Sequence, residues 1–329
     1  MLEDRELLYK IASLYYEHGR NQQEIAGMLH ISRPMISRAL AKAEHLGIVN
    51  IQIVPPAGCS PIEIRLAEKL GLKRVVIGQI AAPDISDQKT RVQAIAERAG
   101  EYLSQILEND MAIGVGWGVT VHQTVLSMTA CSSLKGVTVV PLVGSAGRTE
   151  PHYQVNIIAD RMAEKLQGNA LFFNIPAFVT DFKIKDFFKR DPQMKAIQDR
   201  WEKLDIAVIG LGAFGGTPSF PVADYSIEAL EELQTQKVKG DILGRFFNDD
   251  GIIGEATQED SLITRNMPDV TNVIYLGIPV ESLKCSKQII CLCGGTLKIP
   301  AIRTAAKLQL FDCLVTDSKT AHELETILE

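Results

Sequence analysis

The sequence predicts an α/β protein carrying a small, all-helical head, and three observations support that reading. The first 47 residues show only helical periodicity. Pro55-Pro56-Ala57-Gly58 then has the composition of a linker. Beyond it, apolar runs of strand length alternate with amphipathic helices, the pattern of a largely parallel sheet covered on both faces. The expected division is a head over 1–54, a linker over 55–60 and a large domain over 61–329.

In the head, Leu7, Leu8, Ile11, Leu14 and Tyr15 form an apolar stripe, and Gly19 suits a left-handed position at the end of that helix. Asn21 is placed to cap a second helix, with Glu24 three residues on as the reciprocal half of a capping box. Ser32 is the expected cap of a third helix, with Pro34 in its first turn, where a missing N–H costs nothing. Gly47 stops that helix, and Ile48 to Val54 alternates as a strand would.

Residues 22–41 combine these features into a helix-turn-helix pattern. Ala26 is the small residue where two helices cross, and Ile25, Leu29, Ile31, Ile36 and Leu40 pin the pair together. His30 takes the turn position, which needs tolerance of positive φ. The second helix then projects Arg33, Met35, Ser37 and Arg38 outward, toward the major groove of a DNA duplex. Ser32, Arg33, Ser37 and Arg38 are the candidate readers of DNA, and Gln22 and Gln23 at the start of the first helix can meet a phosphate. The competing reading is a helical hairpin whose arginines are merely solvated. The coincidence of cap, alanine, apolar spacing and outward polar set within twenty residues favours DNA.

In the large domain the expected strands centre on Val75–Ile77, Met111–Gly114, Val137–Val140, Ala170–Phe173, Ile206–Ile209, Val273–Leu276, Ile289–Cys291 and Leu314–Thr316. Expected helices span Arg91–Leu107, Val155–Leu166, Pro192–Leu204, Ile299–Lys307 and Lys319–Leu328. Four small-residue loops close strands. Gly116-Trp117-Gly118 with Thr120 opens a helix, so its backbone can approach an anion; a tight turn with no ligand fits the loop equally. Gly144-Ser145 ends the next strand. Asp241 follows Gly240 and can accept from sugar hydroxyls, while Asn248 to Gly251 reads as a plain turn. Gly294-Gly295 precedes Lys298, which is either a ligand-binding ammonium or a solvated surface lysine. In an α/β fold such loops converge on the crevice at the carboxyl edge of the sheet.

Composition narrows the classes. The formal charge of −6 excludes a chain that is basic throughout, yet between Arg20 and Lys42 four basic residues face one acid, Glu24. The negative surplus therefore lies in the large domain. No apolar run reaches the length of a membrane span, and the amino end reads as no secretory signal, so a cytoplasmic protein is expected. Cys291 and Cys293 lie in a strand-like run without further metal-ligand spacing; buried, reduced thiols are expected and no metal or cofactor.

These stretches together resemble the SorC/DeoR family of sugar-responsive bacterial transcription regulators over essentially the whole length. The match is carried by Tyr15-Tyr16, the 22–41 motif, Gly47-Ile48-Val49, Gly116-Trp117-Gly118, Gly240-Asp241-Ile242 with Gly244-Arg245-Phe246-Phe247, Gly294-Gly295 with Lys298, and Val315-Thr316-Asp317 with Thr320-Ala321. Val119 and His30 depart from the arginine and glycine usual at their positions. The resemblance implies a Rossmann-like effector domain, similar to ribose-5-phosphate isomerase and glucosamine-6-phosphate deaminase but without their catalysis. It also implies a sugar or phosphosugar effector, double-stranded operator DNA as partner, and a homodimer or homotetramer. Asp241 and Lys298 match effector-contacting positions of such regulators, and the glycine loop with Thr120 matches their phosphate cradle. The alternative is a phosphosugar isomerase or deaminase with an accessory head. Such an enzyme needs a general base beside the sugar, and Asp241 is the one acid in these loops.

Overall fold

The computed structural model describes residues 5–49, 60–80, 88–131, 133–145, 153–179, 181–214, 231, 233–253 and 274–328. The chain splits into two compact units, Met1–Ala57 and Gly58–Glu329.

The first unit is built from α1 (Arg5–Tyr16), α2 (Gln22–Leu29) and α3 (Arg33–His45) around one core. Leu8, Ile11, Ile25, Ala26, Ile36, Ala39, Leu40 and Ala43 are buried in it, with Leu29 and Ile31 packed at its margin. Asn21 Oδ1 accepts from the N–H groups of Gln23 and Glu24, and Glu24 accepts from the Asn21 N–H, so the capping box forms as expected. Ser32 occupies the cap of α3 by its backbone alone: its carbonyl accepts from Met35 and Ile36, and its hydroxyl makes no capping bond. The strand expected from Ile48 does not begin there. The N–H groups of Ile48 and Val49 turn back to the carbonyl of Ala43 and close the end of α3, so neither is offered to a neighbouring strand. Residues 50–54 of that expected strand, like 55–59 of the expected linker, lie outside the described residues.

The second unit is a doubly wound α/β domain. Its helices are α4 (Pro61–Leu70), α5 (Gln88–Ile106), α6 (Val119–Ser127), α7 (Val155–Leu166), α8 (Phe182–Lys189), α9 (Pro192–Trp201), α10 (Val280–Lys284), α11 (Ile299–Lys307) and α12 (Ser318–Leu328). Its main strands are β1 (Arg74–Gly78), β2 (Ala112–Val115), β3 (Thr138–Pro141), β4 (Asn169–Ala170), β6 (Ile206–Ala213), β11 (Gln288–Leu292) and β12 (Cys313–Asp317). They lie in the order β4-β3-β2-β6-β11-β12-β1, and every pair is parallel. Without β1 this is the doubly wound order 3-2-1-4-5-6, which reverses direction between β2 and β6.

Period-two alternation divides the strand residues between two cores, because successive side chains point to opposite faces. Val75, Ala207, Ile209, Ile289, Cys291 and Leu314 join α4, α9, α11 and α12 on one face. Val76, Ile113, Val208, Ile290 and Val315 join α5, α6 and α7 on the other. Burial pushes the Cys291 thiol well above its ordinary value, with the Cys293 thiol beside it, so Cys291 packs as a neutral side chain.

Two expected strands are mostly something else. Only Ala170 of Ala170–Phe173 stays in the sheet, where β4 pairs with β3; Phe173 is instead drawn against Trp201, their ring centroids 5.4 Å apart. From Val273–Leu276, β10 (Ile274–Tyr275) pairs antiparallel with β5 (Phe178–Val179), outside the main sheet. Residues 240–252 form an antiparallel meander, β7 (Gly240–Ile242), β8 (Arg245–Asn248) and β9 (Gly251–Ile252), added to the end of β6.

Candidate functional site

The head presents its polar set on a rigid frame. His30 adopts φ 55° and ψ 39°, and its N–H returns to the Ala26 carbonyl, so the chain reverses between α2 and α3 within a few residues. Ser32, Arg33, Ser37, Arg38 and Gln23 are exposed, while Gln22 and Met35 are half-buried. The outward pattern follows from α3 itself: Ile36, Ala39, Leu40 and Ala43 take the inner face, leaving Arg33, Ser37 and Arg38 on the other. A serine–arginine surface of this kind offers hydrogen-bond donors and a guanidinium fork to an anionic or base-edge partner.

In the large unit the strand order reverses between β2 and β6, and the carboxyl ends of strands at such a reversal are where α/β sheets bind ligands. Gly116 closes β2, its N–H bonded to the Val208 carbonyl of β6 at 2.9 Å. A Cβ there would stand 2.5 Å from a Leu243 methyl, so this position accepts no side chain without displacing Leu243. Gly118, at φ 115°, caps α6 and has open space around its Cα, and Thr120 follows half-buried in the first turn. The Trp117 side chain is turned away from that space. Its indole is buried in the core with Val121 and Val125 and lies 6.1 Å from the Phe178 ring, so only its backbone belongs to the loop.

The loop after β3 is also different from its sequence reading. The Gly144 N–H donates to Leu276 and the Ser145 N–H to Ile175, both to carbonyl oxygens. A Cβ at Gly144 would meet the carbonyls of Pro176 and Ile175 at 2.5 and 2.6 Å. These small residues admit a crossing backbone, and their amides are spent on it rather than offered to an anion. Arg148, which the sequence sets close by, lies outside the described residues.

Asp241 and Lys298, 57 residues apart in the chain, are both tied to the end of β6. Asp241 is 5% exposed and sits on β7 opposite Gly212, with its Oδ2 accepting from the Gly244 N–H at 3.3 Å. Lys298 ends a short 3₁₀ turn, Thr296–Lys298, and its Nζ donates to the Leu211 carbonyl at 2.6 Å. The backbone of Asp241 and the ammonium of Lys298 therefore reach neighbouring residues of one strand end. The hairpin carrying Asp241 turns through Leu243 and Gly244, both at positive φ (55° and 85°), the geometry of a two-residue hairpin loop. Leu243 is a poor residue for that conformation. It is held there by burial over Gly116, which ties the Asp241 hairpin to the β2 loop.

The glycine pair before Lys298 has its own support, which sequence reading did not find. Gly295 N–H donates to Thr320 Oγ1 at 2.6 Å, and that hydroxyl donates to Asp317 Oδ2 at 2.6 Å. Asp317 Oδ1 also accepts the Thr320 N–H, and a Cβ at Gly294 would collide with Oδ2. The residues Val315–Asp317 and Thr320 thus buttress the Gly294-Gly295 turn. Among the described residues, no group of His, Cys, Asp and Glu is arranged to hold a metal ion. No described helix is long and apolar enough to cross a membrane.

Comparison with known proteins agrees with this layout. Residues 54–325 match the family described as "Putative sugar-binding domain". Over 326 residues the chain is 29% identical to the sorbitol operon regulator of Klebsiella pneumoniae, covering 98% of each. It is 25% identical to the deoxyribonucleoside regulator of Bacillus subtilis, again over 98% of each. The crystal structure of the full-length K. pneumoniae regulator SorC superposes with a TM-score of 0.70 at 27% identity over 98% of each chain. A match over most of the second unit, with regulators aligned from end to end, assigns the protein: the chain belongs to the sugar-binding-domain family of SorC/DeoR-type transcriptional regulators, not to the phosphosugar enzymes.

Proposed function

We propose that the first unit is a helix-turn-helix that reads operator DNA, and that the second binds a sugar or phosphorylated sugar whose occupancy modulates that reading. In the head, α3 enters the major groove, where Arg33 and Arg38 address base edges with Ser32 and Ser37, and Gln22 and Gln23 at the start of α2 contact backbone phosphate. In the second unit, the Gly116–Gly118 loop with Thr120 receives one end of the effector. Asp241 accepts from its hydroxyls, and Lys298 supplies positive charge. The observation that carries this reading is the convergence of Asp241 and Lys298 on consecutive residues of β6, at the strand-order reversal where α/β sheets bind ligands.

Effector binding acts only through differential affinity for two arrangements of the protein. Operators with two-fold symmetry call for a homodimer or homotetramer, so two or four heads share one effector-controlled assembly. The test is retention of DNA fragments from the protein's own genomic neighbourhood on a gel, with and without a panel of sugars and sugar phosphates. A fragment retained in a sugar-dependent way is the expected result; no retention of any fragment under any addition would end the proposal.

A further inference from the structure

Helix α3 continues its polar surface beyond the residues assigned above to base edges. Its buried side chains are Ile36, Ala39, Leu40 and Ala43. At 3.6 residues per turn, the line opposite them runs through Pro34, Arg38, Ala41 and His45, with Lys42 beside it. The four residues of that line are exposed, and Lys42 is half-buried. A half-buried lysine lays its stem along the helix and keeps its ammonium in water. The line holds no bulky apolar side chain and no acid, and Ala41 lets a partner approach the helix closely.

The protein makes no internal use of these polar groups. Among the described residues, the side chains of Arg38, Lys42 and His45 form no hydrogen bond and no ion pair. The one acid of α3, Glu44, is turned toward α1, where it accepts from the Tyr16 hydroxyl at 2.7 Å. Nearby acids are likewise held by uncharged groups, Glu24 by the Asn21 N–H and Glu17 by the Ser13 hydroxyl. In the large unit, by contrast, Arg65, Lys73 and Lys287 have carboxylates at 2.6, 2.9 and 2.6 Å. Basic groups near a helix carboxyl end also complement the helix dipole. The dipole asks only for charge in the last turn, however, and does not select the face opposite the core.

We infer that Lys42 and His45 clamp the phosphate backbone of the duplex whose base edges Arg33 and Arg38 address. This rests on the reading of the head as a DNA-binding helix-turn-helix and adds to it the residues of α3 that hold the backbone. Distance decides between base and phosphate. At 1.5 Å per residue, Lys42 stands about 6 Å and His45 about 10 Å beyond Arg38 along the helix axis. The major groove is only about 12 Å wide, and such a helix meets base edges with its amino-terminal residues. Its carboxyl end is then at the rim of the groove, beside the phosphates. There a compact ammonium and an imidazole N–H can each donate to a phosphate oxygen, which fixes the helix in its groove and carries no sequence information.

Phosphate contacts are indifferent to sequence, so the test does not need the operator. The full-length protein is titrated, by fluorescence anisotropy, onto a labelled mixed-sequence duplex of about 30 base pairs at salt concentrations from about 50 to 200 mM. Lys42→Gln is expected to weaken binding several-fold and to lower the slope of log affinity against log salt by about 1, while Lys42→Arg keeps the slope. His45→Gln should also weaken binding several-fold. Lys10→Gln removes the same charge from an exposed site on α1 and should leave affinity and slope nearly unchanged. Circular dichroism without DNA checks that each variant is folded, and His45→Gln carries the test should Lys42→Gln fail to fold. Equal affinity and slope in the wild type and the folded glutamine variants at 42 and 45 overturn the clamp and leave the helix-turn-helix reading standing. A loss in Lys10→Gln equal to that in Lys42→Gln also overturns it, because net charge would then be the cause. No binding of the wild type to any duplex removes the clamp and the wider reading together. Losses at Lys42 and His45, with Arg38→Ala retaining every genomic fragment as the wild type does, support the clamp and remove base reading by Arg38.

Discussion

The head and the large unit place their functional polar groups by opposite means. In the head every candidate group lies within 17 residues, from Gln22 to Arg38, and is exposed or half-buried on a frame fixed by local rules. In the large unit the candidates run from Gly116 to Lys298, and Asp241 and Gly144 are buried. Their positions depend on strand pairing over long separations. Head substitutions should therefore change recognition and leave folding nearly intact, whereas substitutions at the sheet edge should change both.

The sharpest test of that contrast is Gly144→Ala. The new Cβ would press on two backbone carbonyls, Pro176 and Ile175, neither of which can rotate away. Overpacking of this kind costs about 3 kcal/mol, the upper part of the usual range. Urea unfolding should show the midpoint falling accordingly, with effector response weakened by the shift of Ser145 and its neighbours. An alanine accepted without loss of stability would show that the crossing at Gly144 is loose, and the contrast would fail on the large unit's side.

Arg38→Ala should be the mirror case. Its side chain is exposed and holds no part of the core, so unfolding should scarcely change. Loss of a bidentate base contact should weaken operator binding by about 1–3 kcal/mol while sparing random DNA. Titrations of both duplexes at one salt concentration decide the matter, and equal losses on both would assign Arg38 to phosphate.

The same contrast explains what was legible in the sequence. Asn21 with Glu24, the positive-φ turn at His30 and the inner face of α3 are all short-range features, and they appear as read. Helices 155–166 and 299–307 are likewise read to their ends, because caps and apolar spacing act within a turn or two. Helix α4 escaped notice although Ser60 and Glu63 form a full capping box before it, a signal obscured by the proline-rich stretch preceding it. The meander over 240–252 could not be read, since its strands of two to four residues are too short to show a period and its tip places a leucine at positive φ. The Trp117 indole and the Gly144-Ser145 amides are placed differently from what their loops suggest, for a related reason. A small-residue loop looks the same in sequence whether its amides face a ligand or a crossing strand, and only pairing with residues 175–177 and 276 decides.

Within the head a smaller effect gauges how far local rules carry stability. Asn21→Ala removes the acceptor for two N–H groups and breaks the box with Glu24. A lost cap of this type costs about 1 kcal/mol. Hydrogen exchange should show the added opening confined to the first turn of α2 and its contacts. Spread of the effect to β6 or β11 would mean that the two units are not separable in energy.

The smallest expected effect concerns the tie between α1 and α3. The Tyr16 hydroxyl donates to Glu44 Oε1 at 2.7 Å, and this hydrogen bond, with burial and the Glu44 charge adding to it, raises the phenol from 10.0 to about 12. The bond needs a protonated phenol. Its contribution is therefore fully present below pH 10, the unfolded value, and is lost as pH rises through about 12. Both side chains are well exposed, so the gain is modest and screened. Ultraviolet titration should find one late-ionising tyrosine fewer in Glu44→Gln than in the wild type, as Tyr16 returns toward 10.0. Were the wild-type and Glu44→Gln titrations to coincide, the α1–α3 tie would be absent in solution, and the orientation of the arginine-bearing helix would rest on the apolar core of the head alone.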